Sequence, residues 1–432
     1  MLLPAAWLGH FPCRLGFCVA LLAGSSVEAG NWPAWRGPAG TGVCLERSLP
    51  LHWDRTNHVR WRAPLPERGN STPIIWGKRV FVTQAVQAEN RRTLMCFDRA
   101  DGRLLWQSGV TYAEKEQTHE TNPYCSASPV TDGQRVIASF GSAGLGCYDL
   151  EGRELWRADL GKQVHIWGNG SSPVLHGDLC ILNFGPGSRT FLVALNKRTG
   201  KVVWQTDEPG GHPDQGPAPN GGKEWIGSWT TPVVIRAANR DELLMNFPRR
   251  VCAFDPRTGR ELWTCQGLNA LAYTSPLHAD GIVVGMGGFN GMSLAVRAGG
   301  SGDVTATHRL WHNPKTRQRI GSGVISGRHV YILDEPGIAQ CLELATGKVA
   351  WEERLPATGA NAASWSSTIV AGDRLYAMNQ GGDTFVLRAS PKFELLAVNP
   401  LGETTMSSCA PSDGELFLRT HQALWCIRAD GR

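Results

Sequence analysis

The stretch Asp98-Arg99-Ala100-Asp101-Gly102-Arg103-Leu104-Leu105-Trp106 decides the fold. An acidic residue and a glycine suit a tight reversal of the chain, because glycine readily adopts the positive φ that such a turn requires. The alternating strand that follows ends in tryptophan. Copies of this hairpin recur along the chain at residues 149–156, 196–204, 255–263 and 343–351, with weaker copies that begin at Arg297, Arg388 and Arg428.

A second marker precedes these hairpins and consists of a serine or threonine followed by proline. It occurs at Thr72, Ser128, Ser172, Thr231 and Ser275, and later units keep the turn glycines Gly327, Gly372 and Gly414. The units recur about every 42–46 residues outside two insertions, which is the period of four short strands per blade. We therefore predict an all-β fold, an eight-bladed β-propeller of four-stranded antiparallel blades.

The two ends of the chain predict how the ring closes. The last hairpin copy stops at residues 428–432, and residues 58–63 form a short strand with no hairpin partner of its own. A shared blade removes the open sheet edges. We expect the N-terminal strand, residues 59–63, to complete the last blade. The 51 glycines and 26 prolines argue against long helices.

The regular spacing of the tryptophans favours a structural role. One large ring per blade can pack between neighbouring blades while its indole N–H donates to a backbone carbonyl. A ligand site needs only one or two such rings.

The cysteines fall into two groups. Cys96, Cys147, Cys252, Cys341 and Cys426 recur at nearly the same place in different blades, too far apart to bridge, and are expected to be buried apolar residues. The irregularly placed cysteines could pair, with partners that the spacing does not identify: Cys44, Cys125, Cys180, Cys265 and Cys409.

Charge and the N-terminus bear on location. The chain has 43 basic and 38 acidic residues and no basic run with interleaved aromatics, so no nucleic-acid partner is expected. Residues 1–29 have the apolar stretch and small-residue cleavage site of a signal peptide. We expect a soluble protein exported to the periplasm or cell envelope; a lipoprotein lipidated at Cys18 and an uncleaved membrane anchor are the alternatives. An N-terminal extension (residues 30–57) would then precede the propeller (residues 58–432).

The hairpin at residues 253–263 resembles the repeats of pyrroloquinoline-quinone-like (PQQ-like) propeller proteins, and the resemblance covers roughly residues 31–432. That family contains quinoprotein dehydrogenases and non-catalytic, BamB-like propellers. Residues 31–38 and 304–311 are similar to an exported, uncharacterised subgroup from planctomycete-type bacteria, for which the resemblance implies no reaction.

Departures from the dehydrogenase pattern favour a non-catalytic role. The chain has no adjacent cysteine pair and no Cys-x-x-Cys-His haem motif, and no position matches the family's Ca²⁺ ligands or catalytic aspartate. We therefore expect a binding or scaffolding module with a protein or envelope-polymer partner, and neither metal nor cofactor. The alternative is a quinoprotein oxidoreductase of alcohols or sugars that uses PQQ and Ca²⁺.

The candidate ligand-binding residues lie in three loops predicted to connect successive blades on one face, residues 107–126, 158–170 and 208–228, or directly after the last of them. Each also has an ordinary structural interpretation, as a solvated loop residue, a loop hydrogen-bonding group or a cover for a blade edge. The candidates are His119, Glu120, Asn122, Tyr124, His165, Trp167, Asn169, Trp225 and Trp229.

Overall fold

A computed structural model of the chain describes residues 1–2, 30–187, 189–208, 226–237, 239–288 and 291–429. Residues 3–29 of the predicted signal peptide and Trp225 lie outside these residues. Eight antiparallel sheets, each with four blade strands, form the predicted propeller. Among the described residues there is no helix with the length and hydropathy needed to cross a membrane.

Each blade runs from an inner strand beside the central channel to an outer strand at the rim. The strands of blades 1 to 4, from inner to outer, are Ile74–Trp76, Arg79–Val86, Arg91–Asp98 and Leu104–Thr111; Val130–Thr131, Arg135–Ser139, Leu145–Asp149 and Glu154–Ala158; Val174–His176, Leu179–Phe184, Phe191–Asn196 and Val202–Asp207; Val233–Ala237, Arg240–Phe247, Arg250–Phe254 and Glu261–Gln266.

Blades 5 to 8 repeat this order. Their strands, from inner to outer, are Leu277–Ala279, Ile282–Met286, Ser293–Arg297 and Arg309–Asn313; Val324–Ser326, His329–Leu333, Ile338–Glu343 and Val349–Arg354; Ile369–Ala371, Arg374–Met378, Asp383–Arg388 and Leu395–Pro400; Ala410–Ser412, Glu415–Arg419, Ala423–Arg428 and Val59–Pro64.

Short additional elements lie outside this plan. Gly302–Asp303 adds a parallel fifth strand to the outer edge of blade 4, and Val43–Cys44 adds one to the inner edge of blade 7. Gly227–Ser228 pairs with Leu271–Ala272 in a small parallel sheet, and two 3₁₀-helices span Gln87–Glu89 and Gly141–Ala143.

The N-terminal strand closes the ring as predicted. Val59–Pro64 pairs antiparallel with Ala423–Arg428, so blade 8 combines both ends of the described chain. Two loop boundaries differ from the prediction: the outer strand of blade 1 continues to Thr111 and that of blade 2 to Ala158, so the loops that follow begin at residues 112 and 159.

The core lies between blades rather than within them. In one cluster, Leu277 and Val284 of blade 5 pack with Ile325 and Val330 of blade 6. Similar clusters join the other neighbouring blades, and the cluster at blades 7, 8 and 1 also takes in residues from the N-terminal extension. The ten described cysteines are buried and free.

A tryptophan–turn contact joins neighbouring blades at the rim, as the spacing predicts. The Trp156 indole N–H donates to the Lys197 carbonyl in the hairpin of the next blade at 3.0 Å. A Cβ at Gly200 in that hairpin would lie 2.5 Å from the Trp156 ring, so only glycine fits without a shift. Equivalent indole bonds are made by Trp61, Trp106, Trp204, Trp311 and Trp351.

Blade 4 departs from this arrangement because residues 298–308 interrupt the hairpin of blade 5. Trp263 is fully buried and donates instead to the Glu242 carboxylate at 2.8 Å, within its own blade. Blade 7 carries Ala397 at the register position where the other outer strands have tryptophan.

A second contact joins the blades around the channel. In every blade, the backbone N–H of the serine or threonine before the inner strand donates to the hydroxyl of its counterpart in the next blade, at 2.8–3.2 Å. In five of the eight blades a proline follows this residue and favours an extended backbone there. We call this set the hydroxyl ring; its members are Thr72, Ser128, Ser172, Thr231, Ser275, Ser322, Ser367 and Ser408.

Residues 31–44, which we call the channel segment, cross the channel on one side of the hydroxyl ring. The inner strands run from the ring toward that side. Trp32 exchanges backbone hydrogen bonds with Ile75 of blade 1, and Gly42 accepts one from Val370 of blade 7. Arg36 is 2 % exposed and donates to the carbonyls of Gly323 and Thr368 at 2.6 and 3.3 Å. The extension is therefore built into the propeller and spans its channel.

Substitution of the hairpin glycine tests the rim contact. Gly200→Ala should lower the free energy of unfolding by about 2–4 kcal/mol, since it adds overlap with Trp156 to the cost of a positive φ. Gly177→Ala in the same blade is the matched control, because Gly177 also has a positive φ but a Cβ there would contact nothing. It should cost about 1–2 kcal/mol. Equal losses of unfolding free energy for the two variants in urea would show that the Trp156 ring moves aside at no cost.

Arg36 provides a test of the channel segment. Burial lowers the pKa of its guanidinium to about 9, and backbone carbonyls surround it. Arg36→Met should cost at least about 2 kcal/mol of stability, because buried carbonyls lose their donors. Exposed Arg47 offers the control: Arg47→Met should change stability by less than about 0.5 kcal/mol in the same thermal unfolding measurement. Equal melting temperatures for both variants would contradict the anchoring role.

Candidate functional site

The central channel contains a cavity of about 560 Å³ around the hydroxyl ring. The loops between blades lie on one side of the ring and the channel segment on the other, where Trp35 lines the cavity. Because the channel segment crosses the channel on the side opposite the loops, we infer that the cavity is open only toward the loops. Its size falls in the range of about 300–1,000 Å³ typical of small-molecule sites.

The residue two positions before each hydroxyl-ring member also lines the cavity. Side chains alternate between faces along an extended chain, so this position and the ring position share one face. From blade 1 to blade 8 the set is Asn70, Ser126, Gly170, Trp229, Tyr273, Ile320, Trp365 and Met406. Blades 1 to 3 therefore contribute small or polar residues, whereas blades 4 to 8 contribute a largely apolar wall.

Four predicted site residues line the cavity: His119, Asn122, Trp167 and Trp229. Asn122 connects two of the predicted loops, since its amide donates to the Trp167 carbonyl at 2.6 Å and to the Asn169 carbonyl at 3.1 Å. His119 is exposed, and its Nδ1 lies 2.7 Å from the Thr121 hydroxyl within the same turn. The first two loops thus meet at the mouth of the cavity.

Aromatic rings form a continuous wall beside this junction. The ring centroids of Trp167 and Trp229 are 6.0 Å apart, and those of Trp229 and Tyr273 are 5.1 Å apart. The Trp229 indole N–H donates to the Gly168 carbonyl at 2.9 Å, which fixes one ring of the wall to the second loop. Burial raises the pKa of the Tyr273 phenol and keeps it neutral.

Three other predicted residues lie behind or away from the cavity wall. His165 is 1 % exposed, packs edge-on against Trp229 at 4.9 Å and accepts the backbone N–H of Trp167 at 3.2 Å. Asn169 contributes its carbonyl to Asn122. Glu120 is exposed, and its carbonyl accepts from Arg68.

Tyr124 belongs to a buried structural cluster. Its ring lies over the guanidinium of Arg92 at 4.2 Å, and its hydroxyl donates to the Glu116 carbonyl at 2.6 Å. Arg92 and Glu116 also form an ion pair at 2.5 Å. These contacts hold the first loop against blade 1.

The described lining contains no Asp, Glu, Lys or Arg side chain. Two buried arginines near the wall are engaged elsewhere: Arg319 pairs with Asp334 at 2.8 Å, and Arg419 donates to Ser71, the Thr83 carbonyl and Gln84. Among the described residues, no group of three or more His, Cys, Asp or Glu side chains is arranged to hold a metal ion. The cavity therefore presents hydroxyls, amides, one imidazole and aromatic rings.

Sequence reasoning missed Trp35, Tyr273 and Trp365 as cavity residues. The signal for the last two was present, since each stands two positions before a serine of the hydroxyl ring. Trp35 lies in the extension, whose path across the channel no repeat pattern encodes.

An eight-bladed ring with this repeat and a ligand-sized central cavity defines a PQQ-like propeller. Residues 50–184, 83–213 and 190–431 match the family described as outer membrane protein assembly factor BamB. These matches cover most of the sequence, and the chain belongs to that family.

Solved structures show the same fold. BamB from Moraxella catarrhalis aligns with a TM-score of 0.60 and 12% identity, over 84% of this chain and 95% of that one. Quinohemoprotein alcohol dehydrogenase from Comamonas testosteroni aligns with a TM-score of 0.68 and 11% identity, over 95% and 82%. Identities this low establish the fold alone.

A curated relative is the tetrathionate hydrolase of Acidithiobacillus ferrooxidans, 23% identical over 237 residues. The match covers 49% of this chain and 43% of the relative, so the chain spans less than half the length of that protein.

His421 sits beside the cavity wall, with Nε2 3.4 Å from the Asn70 side-chain oxygen. Burial, with the positive charges of Arg419 and Arg68, lowers its pKa from 6.5 to about 4. Between these values the unfolded chain binds a proton that the folded chain does not, so stability should fall as pH decreases from 6.5 to about 4.

His421→Gln should remove this contribution. The variant's free energy of unfolding should fall less steeply than that of the wild type between pH 6.5 and about 4.5 in urea titrations, because the other acidic groups are common to both proteins. Identical slopes would show that His421 is protonated as readily in the folded as in the unfolded chain.

Proposed function

We propose that this propeller is a binding or scaffolding module of the cell envelope that holds a neutral ligand, or part of a protein or polymer partner, in its cavity. The observation that carries the proposal is the described lining, which combines aromatic rings and hydroxyls without a charged side chain. General acid–base catalysis most often uses a histidine or carboxylate held within hydrogen-bonding reach of the substrate. His119, the lining's imidazole, is exposed at the mouth and contacts Thr121.

Location in the envelope is part of this proposal. Its support is the sequence of residues 1–29, together with membership of a family described by outer membrane protein assembly. A protein or envelope-polymer partner is proposed on the same grounds.

The quinoprotein alternative was tested against the donor set of the cavity. PQQ carries several carboxylates, which call for cationic partners, and Ca²⁺ favours carboxylate and carbonyl oxygens. The described lining offers neither cationic nor carboxylate side chains. These residues do not fit the cofactor, and no reaction step through it is derived.

A cavity-filling variant tests the binding proposal. Gly170 lines the cavity, and a Cβ there would contact only Trp229, at 3.9 Å, so Gly170→Leu should fill space without strain. Full-length protein, immobilised and exposed to envelope extract, should retain a component that the variant does not. The control is Gly359→Leu on an exposed loop, where a Cβ would contact nothing and retention should be unchanged.

Equal retention by the Gly170→Leu variant would remove the cavity from the function. Incubation with PQQ and Ca²⁺ provides the opposing test: bound quinone absorbance together with alcohol-dependent reduction of an electron acceptor would establish the oxidoreductase instead.

A further inference from the structure

Two sets of groups that line the cavity indicate the chemistry of its ligand. One is the hydroxyl ring, seven members of which line the cavity. The other is the aromatic set Trp35, Trp167, Trp229, Tyr273 and Trp365. This inference rests on the proposed binding function and deepens it.

Each hydroxyl-ring oxygen already accepts a backbone N–H from the neighbouring blade. Thr72 N–H donates to Ser128 at 2.8 Å and Ser128 N–H to Ser172 at 2.9 Å, for example. No acceptor among the described residues takes the hydroxyl hydrogens of the ring. A hydroxyl can donate as well as accept, so the ring can offer O–H donors to an occupant rich in acceptor oxygens.

The aromatic wall sets a second requirement. The face of an aromatic ring is negative, so it attracts the weakly positive C–H groups of an apolar or sugar-ring face and disfavours anions. Hydroxyls that direct their O–H groups into the cavity disfavour a cation there, although the rings alone would suit one. An uncharged ligand with many oxygens and C–H faces satisfies both sets.

The two sides of the cavity are arranged for such a ligand. The wall from blades 4 to 8 includes Trp229, Tyr273 and Trp365, whereas Asn70 and Asn122 stand on the side of blades 1 to 3. One ligand face can therefore pack on the rings while its hydroxyls meet amides and hydroxyls opposite.

We infer that the cavity binds a neutral saccharide. Because the channel segment, with Trp35, closes the cavity on one side, the saccharide enters from the loop face and cannot thread through. The site therefore accepts a free oligosaccharide or the end of a polysaccharide chain.

A glycan array tests the ligand class with labelled full-length protein. Neutral oligosaccharides should be retained, and sulfated or sialylated forms of the same backbones should bind at least about tenfold more weakly. Gly170→Leu should abolish retention, Trp365→Ala should weaken it about tenfold or more, and Gly359→Leu should leave it unchanged. Thermal unfolding of each variant separates lost binding from lost folding.

The outcomes separate this inference from the proposed function. A blank array, or equal retention by wild type and Gly170→Leu, would overturn the saccharide assignment. The binding function survives that result if the envelope extract still yields a component that Gly170→Leu loses. Quinone uptake with turnover would remove both.

Competition by a neutral polysaccharide carrying the array-positive unit distinguishes the two sources. At equal mass, a sample of shorter chains contains more chain ends and should therefore compete more strongly. The free oligosaccharide should compete most strongly. Competition that follows total mass would overturn end recognition.

Discussion

The hydroxyl ring is the interaction on which the rest of the structure depends. Each backbone N–H at the start of an inner strand is buried, and its acceptor belongs to the next blade. A buried N–H without an acceptor costs about 1–3 kcal/mol. Each blade is therefore held to the next by this hydrogen bond as well as by apolar packing. The last bond runs from the Ser408 N–H back to the Thr72 hydroxyl, at 3.2 Å, and closes the ring of hydrogen bonds.

Closure at the channel and closure at the rim have different physical origins. The ring joins blades through polar groups near the axis, whereas the tryptophan–turn contacts join them through large apolar rings and glycines at the outer strands. Two contacts at different radii restrict both the spacing and the tilt of neighbouring blades. With the blades so constrained, the loops between them can carry ligand contacts without contributing to the ring itself. Asn122 and Trp167, from different loops, can therefore meet at a defined place.

The repeat made the fold predictable because each of its marker residues has the same structural role in most blades. A turn that requires glycine and a rim that requires an indole recur in most blades, and the count of eight and the closing strand Val59–Pro64 followed from them. The site was only partly predictable, since loop length located His119, Asn122, Trp167 and Trp229 but not which loop groups point inward. Tyr124, a candidate from the first loop, does not line the cavity: its hydroxyl donates to the Glu116 carbonyl, and its ring packs on the Arg92 guanidinium. The missed residues Tyr273 and Trp365 stand two positions before serines of the hydroxyl ring and therefore share their face of the chain. The irregular loops before these positions hide this periodicity in the sequence.

That register also explains how one fold can serve chemically different proteins. The hydroxyl-ring position is constrained by the neighbouring blade, and a change there breaks a structural bond. The position two residues earlier lines the cavity and takes no part in the hydroxyl ring, so it can vary with the ligand while the ring stays intact. In this chain those positions are uncharged in all eight blades, from Asn70 to Met406. The dehydrogenase from Comamonas testosteroni shares the architecture at 11% identity, and architecture does not determine chemistry. The residues at these eight positions, with Trp35, set the chemistry that the cavity presents; the fold holds them in place without specifying their identities.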